Sequence, residues 1–215
     1  MEALILYLVL FFPGLLIQGV AGDLLTIPFS VVWALNRTIT YTIPALALIW
    51  YIVLGKKSLS DFVPIKLKRQ DFLPLGFGLL GLISIGLVIS LAISLFSRYF
   101  GITVPPKIEA PHGISAWIVM IILCMGTGYL EESYFRYYLL TRLENFNLPS
   151  KVILSSMLFA FCHIYDGPFG ILNALLAGIF LSLLYIRYRS LHGIALAHGI
   201  YNIFVYTMGL FIAFY

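Results

Sequence analysis

The chain of 215 residues is too apolar to be a soluble globule, because 61% of its residues are hydrophobic and only 10% are charged. With a mean hydropathy of +1.02, we expect an all-α integral membrane protein. The net charge of +4 does not indicate nucleic-acid binding, because the basic residues are scattered between apolar runs. The expected partners therefore include membrane lipids and no nucleic acid.

Seven apolar runs follow one another along the sequence, and a membrane span needs about 20 apolar residues. The runs lie near 4–20, 38–54, 73–97, 117–142, 151–163, 170–186 and 191–214, and the fifth is short. They predict a polytopic transmembrane bundle of about seven spans, forming a single membrane domain over 1–215. Within it, 1–100 supplies front helices and 116–207 supplies helices with polar motifs, separated by a proline-rich linker at 101–113.

The distribution of lysine and arginine predicts how the bundle is oriented. If the N-terminus is inside, nine of these residues fall in inner connecting segments and three, Arg37, Arg98 and Lys107, fall in outer ones. Cytoplasmic loops are enriched in basic residues. We therefore expect a multi-pass protein of the cell membrane with a cytoplasmic N-terminus.

Charged residues interrupt the fourth apolar run, where Glu131, Glu132 and Arg136 occur close together. Each ionised group near the middle of a span costs roughly 2.5–3.5 kcal/mol, so such residues are usually paired and functional. Glu132 and Arg136 are four residues apart and share a helix face, which predicts an ion pair. Glu131 points about 100° away from its neighbour and can meet another partner.

Two later runs bring imidazole and carboxamide groups to a similar depth. His163 ends the fifth run, whereas His198 and Asn202 lie four residues apart in the last one. With a rise of about 1.5 Å per residue, Glu131, His163 and His198 lie roughly 10–18 Å from the inner boundary. This common depth predicts one cavity, open to the cytoplasmic side. His198 and Asn202 could donate hydrogen bonds to a single developing oxyanion.

Three motifs together resemble the CAAX-protease and bacteriocin-processing family of intramembrane endopeptidases, and in particular CAAX prenyl protease type 2. In order, they are Glu131-Glu132-x-x-x-Arg136, Phe159-x-x-x-His163 and His198-x-x-x-Asn202. The resemblance covers about a third of the chain and implies hydrolysis of peptide bonds within the membrane. The implied substrates are membrane-anchored peptides or lipidated proteins, including prenylated CAAX-type proteins.

The resemblance also implies a role for each residue. Glu131 and His163 would activate a water molecule, and Glu132 and Arg136 would order the site. His198 and Asn202 would stabilise the oxyanion. No cofactor is expected on this mechanism.

Alternatives remain open at this point. A zinc enzyme could use Glu131 or Glu132 together with His163 and His198, although the sequence has no HExxH motif. A proton-coupled transporter also places carboxylates and histidines inside the membrane. A catalytically silent immunity or scaffold protein would bind a partner without hydrolysis.

Two glycines and one further histidine are expected to have structural roles in helix packing. Gly126 and Gly128 predict close approach of a neighbouring helix, because small residues let backbones meet in membranes. His192 is expected to make a hydrogen bond between helices.

Overall fold

The computed structural model describes residues 2–12, 26–27, 29–54, 67–100, 107–108, 110–143 and 145–207, and this part of the chain is all-α. Its seven helices are α1 (Glu2–Leu10), α2 (31–54), α3 (Phe72–Phe100), α4 (Ile114–Arg142), α5 (Leu148–Phe161), α6 (Gly167–Tyr188) and α7 (Leu191–Thr207). A two-residue parallel bridge joins β1 (Thr26–Ile27) to β2 (Lys107–Ile108). Short 3-10 turns, Arg69–Asp71 and Ile164–Asp166, precede α3 and α6.

Each predicted apolar run contains a helix, and three helical segments are long and apolar enough to cross a membrane. They are Arg69–Phe96, Ile114–Arg142 and Ile164–Tyr188, whereas α5 is apolar but shorter. The all-α prediction is confirmed, and the chain is a membrane protein. Positions 13–20, 208–214 and most of the linker at 101–113 lie outside the described residues, as do Lys56, Lys57 and Lys66.

Two helices contain a turn of π-helix, in which backbone hydrogen bonds span five residues instead of four. In α2 the turn is Thr38–Thr42, between Val31–Arg37 and Ile43–Leu54. In α4 it is Ser133–Leu139, directly after the two glutamates. Such turns are rare and occur frequently at functional sites.

Local capping explains where the later helices begin. Asn147 caps α5 by accepting a hydrogen bond from the Ser150 amide at 2.9 Å, and Pro149 occupies the first turn, where no amide donor is needed. Ser190 caps α7 by accepting from the Gly193 amide at 3.0 Å. Its hydroxyl also donates to Asp71 at 2.5 Å, which fixes the start of α7 against the start of α3.

Helix α4 lies at the centre and packs most closely on α7. A Cβ atom placed on Gly128 would lie 2.7 Å from the Gly199 nitrogen and 2.8 Å from the Ala195 oxygen. Only a glycine permits this separation, so the close approach predicted at Gly128 is confirmed. Gly126 makes a similar contact, because a Cβ there would lie 3.1 Å from a methyl carbon of Thr42.

Tyrosine hydroxyls attach α1 to this core. Tyr134 of α4 donates to the Ala3 carbonyl at 2.7 Å, and Tyr7 donates to the Leu158 carbonyl at 3.0 Å. Tyr41 of α2 donates to the Leu10 carbonyl at 2.7 Å. These bonds join the front helices to those that carry the motifs.

Candidate active site

The predicted ion pair between Glu132 and Arg136 is present in the core of α4. Arg136 Nη1 donates to Glu132 Oε1 at 2.9 Å, and both side chains are fully buried. Arg136 Nη2 lies 3.4 Å from the Gly178 carbonyl of α6. The guanidinium also stacks 4.5 Å from the centre of the Phe159 ring, a cation–π arrangement. Groups from three helices therefore compensate the buried positive charge of Arg136.

His198 lies between the two glutamates and contacts both with its ring nitrogens. Nδ1 is 2.7 Å from Glu132 Oε1, and Nε2 is 3.5 Å from Glu131 Oε2. Glu132 Oε1 therefore accepts from both Arg136 and His198, since a carboxylate oxygen can accept two hydrogen bonds. The second oxygen of Glu132 is buried and has no hydrogen-bond partner among the described residues.

The two adjacent carboxylates differ in accessibility. The side chain of Glu131 retains 16% of its exposure, whereas that of Glu132 retains none. The Glu132 side chain therefore contacts only other groups of the protein. Glu131 is the carboxylate that a small molecule could reach.

The rings of His163 and His198 both lie close to the Phe159 ring. The His163 ring centre is 4.7 Å from that of Phe159, and the His198 ring centre is 6.0 Å from it. Nδ1 of His163 is 3.0 Å from the Phe159 carbonyl, which can only accept, so Nδ1 carries the proton. In the neutral imidazole this leaves Nε2 as an acceptor.

The six predicted site residues are thus brought together to different degrees. Glu131, Glu132, Arg136 and His198 form one contact cluster. His163 contacts the Phe159 ring, which also lies near His198, and Asn202 lies half-buried one turn beyond His198 on α7.

The zinc alternative requires three ligands around one point. Among the described residues, no group of three or more histidine, cysteine, aspartate or glutamate side chains is arranged to hold a metal ion. The proposed set of Glu131, His163 and His198 is therefore not assembled as a ligand set.

Two residues that support the π-helical turn were not predicted from the sequence. Ser155 of α5 donates to the Phe135 carbonyl at 2.8 Å, and Trp50 of α2 donates to the Ser133 hydroxyl at 3.0 Å. Ser155 and Ser133 are fully buried. A serine on an apolar helix is the available signal for such bonds, but it does not identify the partner.

The predicted role of His192 as an interhelical contact is confirmed. Its Nδ1 is 3.0 Å from the Tyr129 hydroxyl of α4. This contact lies on the same α4–α7 interface as the glutamates and His198. Tyr129 precedes Glu131 by two residues along α4.

The fold and the site together define a helical membrane protein with a carboxylate–histidine cluster inside its bundle. Residues 113–204 match the family model described as type II CAAX prenyl endopeptidase Rce1-like. The match covers less than half of the chain, and it confirms the resemblance predicted from the motifs. No curated protein and no solved structure matches the chain. At the level of the family, the match indicates a membrane protease.

Proposed function

We propose that the chain is an intramembrane endopeptidase that hydrolyses peptide bonds of membrane-anchored substrates, including prenylated CAAX-type proteins. The observation that carries the proposal is one buried histidine, His198, whose two nitrogens meet adjacent glutamates of unequal exposure. The family match over 113–204 supports the same activity.

In this mechanism Glu131 is the general base, because it is the accessible carboxylate. A water molecule attacks the scissile carbonyl carbon while Glu131 takes one of its protons. His163 Nε2 accepts the other water hydrogen and thereby orients the attack. The tetrahedral intermediate collapses when the C–N bond breaks and Glu131 returns the proton to the leaving amine.

The oxyanion of that intermediate is stabilised by fixed donors on α7. When His198 is an imidazolium, its Nδ1–H donates to Glu132 and its Nε2–H donates to the oxyanion together with the Asn202 amide. Arg136 holds Glu132 in place through their ion pair. His198 therefore has the same relation to Glu132 that a triad histidine has to its aspartate.

The decisive experiment replaces Glu131 by Gln in the purified, reconstituted protein. Cleavage of a prenylated CAAX peptide should fall at least about 100-fold, the lower range for loss of a general base. Thermal unfolding in detergent should change little, because Glu131 is partly exposed. The matched control is Glu2→Gln, whose side chain is 59% exposed at the bundle surface. Wild-type rates in E131Q would refute the mechanism.

A further inference from the structure

The last turn of α5 is tightened, and one of its backbone carbonyls is bound by a side chain of another helix. The Cys162 amide, which an unbroken α-helix would direct to the Leu158 carbonyl, donates at 3.1 Å to the Phe159 carbonyl. The Leu158 carbonyl accepts from two side chains, the Tyr7 hydroxyl of α1 at 3.0 Å and the Cys162 thiol at 3.4 Å. Tyr7 therefore caps the C-terminus of α5 from outside that helix.

The Tyr7 side chain is packed tightly in this position. Tyr7 is buried, and its ring centre lies 5.8 Å from that of Phe11 and 6.4 Å from that of Phe135. The Cys162 thiol also lies 3.5 Å from the Tyr7 hydroxyl, so Tyr7 contacts the end of α5 at two points. Because close-packed rings have few alternative rotamers, this packing fixes the direction of the hydroxyl.

The same turn sets the orientation of His163, which directly follows Cys162. The His163 amide donates to the Ala160 carbonyl at 3.0 Å, and its ring Nδ1 donates to the Phe159 carbonyl at 3.0 Å. Both acceptors belong to the turn that begins at Leu158. A shift of this turn would therefore move the imidazole and weaken the bond that keeps the proton on Nδ1.

We propose that Tyr7 is a positioning residue for His163 and acts through its cap on α5. By holding the last turn of α5, Tyr7 keeps Nδ1 of His163 protonated and Nε2 directed toward the attacking water. The inference rests on the proposed protease function. It adds a residue from α1, a helix outside the segment 113–204 that matches the family model.

The test compares Tyr7→Phe with Tyr134→Phe in the full-length protein in liposomes. Each variant keeps its ring and loses one phenol hydrogen bond of α1, but the bond from Tyr134 to the Ala3 carbonyl does not involve α5. Tyr7→Phe should lower kcat for a lipidated peptide about 10-fold with KM unchanged, because a misplaced imidazole slows the chemical step and not substrate binding. Tyr134→Phe should keep the wild-type kcat. Melting temperatures of both variants check that they fold.

A second readout needs no substrate. Selective ¹⁵N labelling of the four histidines, in mildly alkaline buffer that keeps imidazoles neutral, reports the tautomer of each ring by NMR. Loss of one signal in His163→Gln identifies that of His163. Wild type and Tyr134→Phe should show His163 protonated at Nδ1, whereas Tyr7→Phe should show a mixture of both tautomers.

The outcomes separate this inference from the protease function. Equal kcat values for Tyr7→Phe and Tyr134→Phe, or an unchanged His163 tautomer in Tyr7→Phe, would overturn the inference and leave the protease function intact. If wild type cleaves no lipidated peptide, the protease function fails. The NMR comparison then still decides whether Tyr7 orients His163.

Discussion

Neighbouring residues of α4 have different environments because each helical step rotates the side chain by about 100°. Glu132 points to Arg136 and His198 inside the bundle, whereas Glu131 remains accessible. The ion pair within α4 was predictable, since residues four apart share a face. The contact with His198 was not, because it joins residues 66 apart in sequence and depends on how α4 packs on α7.

This difference predicts that two substitutions destabilise the protein by unequal amounts. Glu132→Ala should lower the free energy of unfolding by about 3–5 kcal/mol, because it leaves the buried Arg136 without its counter-charge. Glu131→Ala should cost far less. Thermal unfolding of the two variants in one detergent compares them directly, and equal melting temperatures would contradict the assignment of Glu132 as the structural carboxylate.

At the scale of the helices, the positions of the apolar runs were predictable, since hydrophobic length alone reports a span. The π-helical turn of α4 was not, because its hydrogen-bond pattern depends on partners from other helices, namely Ser155 and Trp50. Glycine spacing correctly predicted close packing at Gly128. It did not predict that the partner would be the helix that carries His198.

Gly128 therefore sets the separation between the glutamates and His198. Gly128→Ala should reduce cleavage at least about 10-fold, since its Cβ would force the α4 and α7 backbones apart and lengthen the contacts of His198. The matched control is Gly76→Ala in α3, where the added Cβ would contact nothing within 4 Å. Assays of both variants at equal protein concentration, with melting temperatures, test this prediction. Full activity in G128A would show that the spacing is not critical.

At the scale of the whole molecule, two expectations about orientation conflict. One predicted site residue, His163, lies directly before the turn Ile164–Asp166 that precedes α6. That turn lies at the end of the bundle opposite the connection between α4 and α5 at 143–147. The count of basic residues assigned it to the outer side, whereas the cavity was expected to open to the cytoplasm. Both expectations hold only if substrates reach Glu131 from the cytoplasmic end of the bundle, opposite this turn.

Cysteine labelling of intact cells decides the orientation. With Cys124 and Cys162 replaced by alanine, the exposed positions 146 and 168 receive single cysteines in separate variants. The charge distribution predicts that an impermeant maleimide labels Pro168→Cys and not Phe146→Cys. Labelling of both after lysis is the control for reactivity. The reverse pattern would place the N-terminus outside.

The tyrosine hydrogen bonds between α1 and its neighbouring helices indicate which part of the chain the fold needs. If α1 were removed, the phenols of Tyr134 and Tyr41 would lose their acceptors at Ala3 and Leu10, and bilayer hydrocarbon offers no replacement. The Leu158 carbonyl would lose the Tyr7 hydroxyl. The portion that resembles known proteases is therefore expected to need its N-terminal neighbours to keep its shape. Grafting that portion alone onto another scaffold should yield an inert chain.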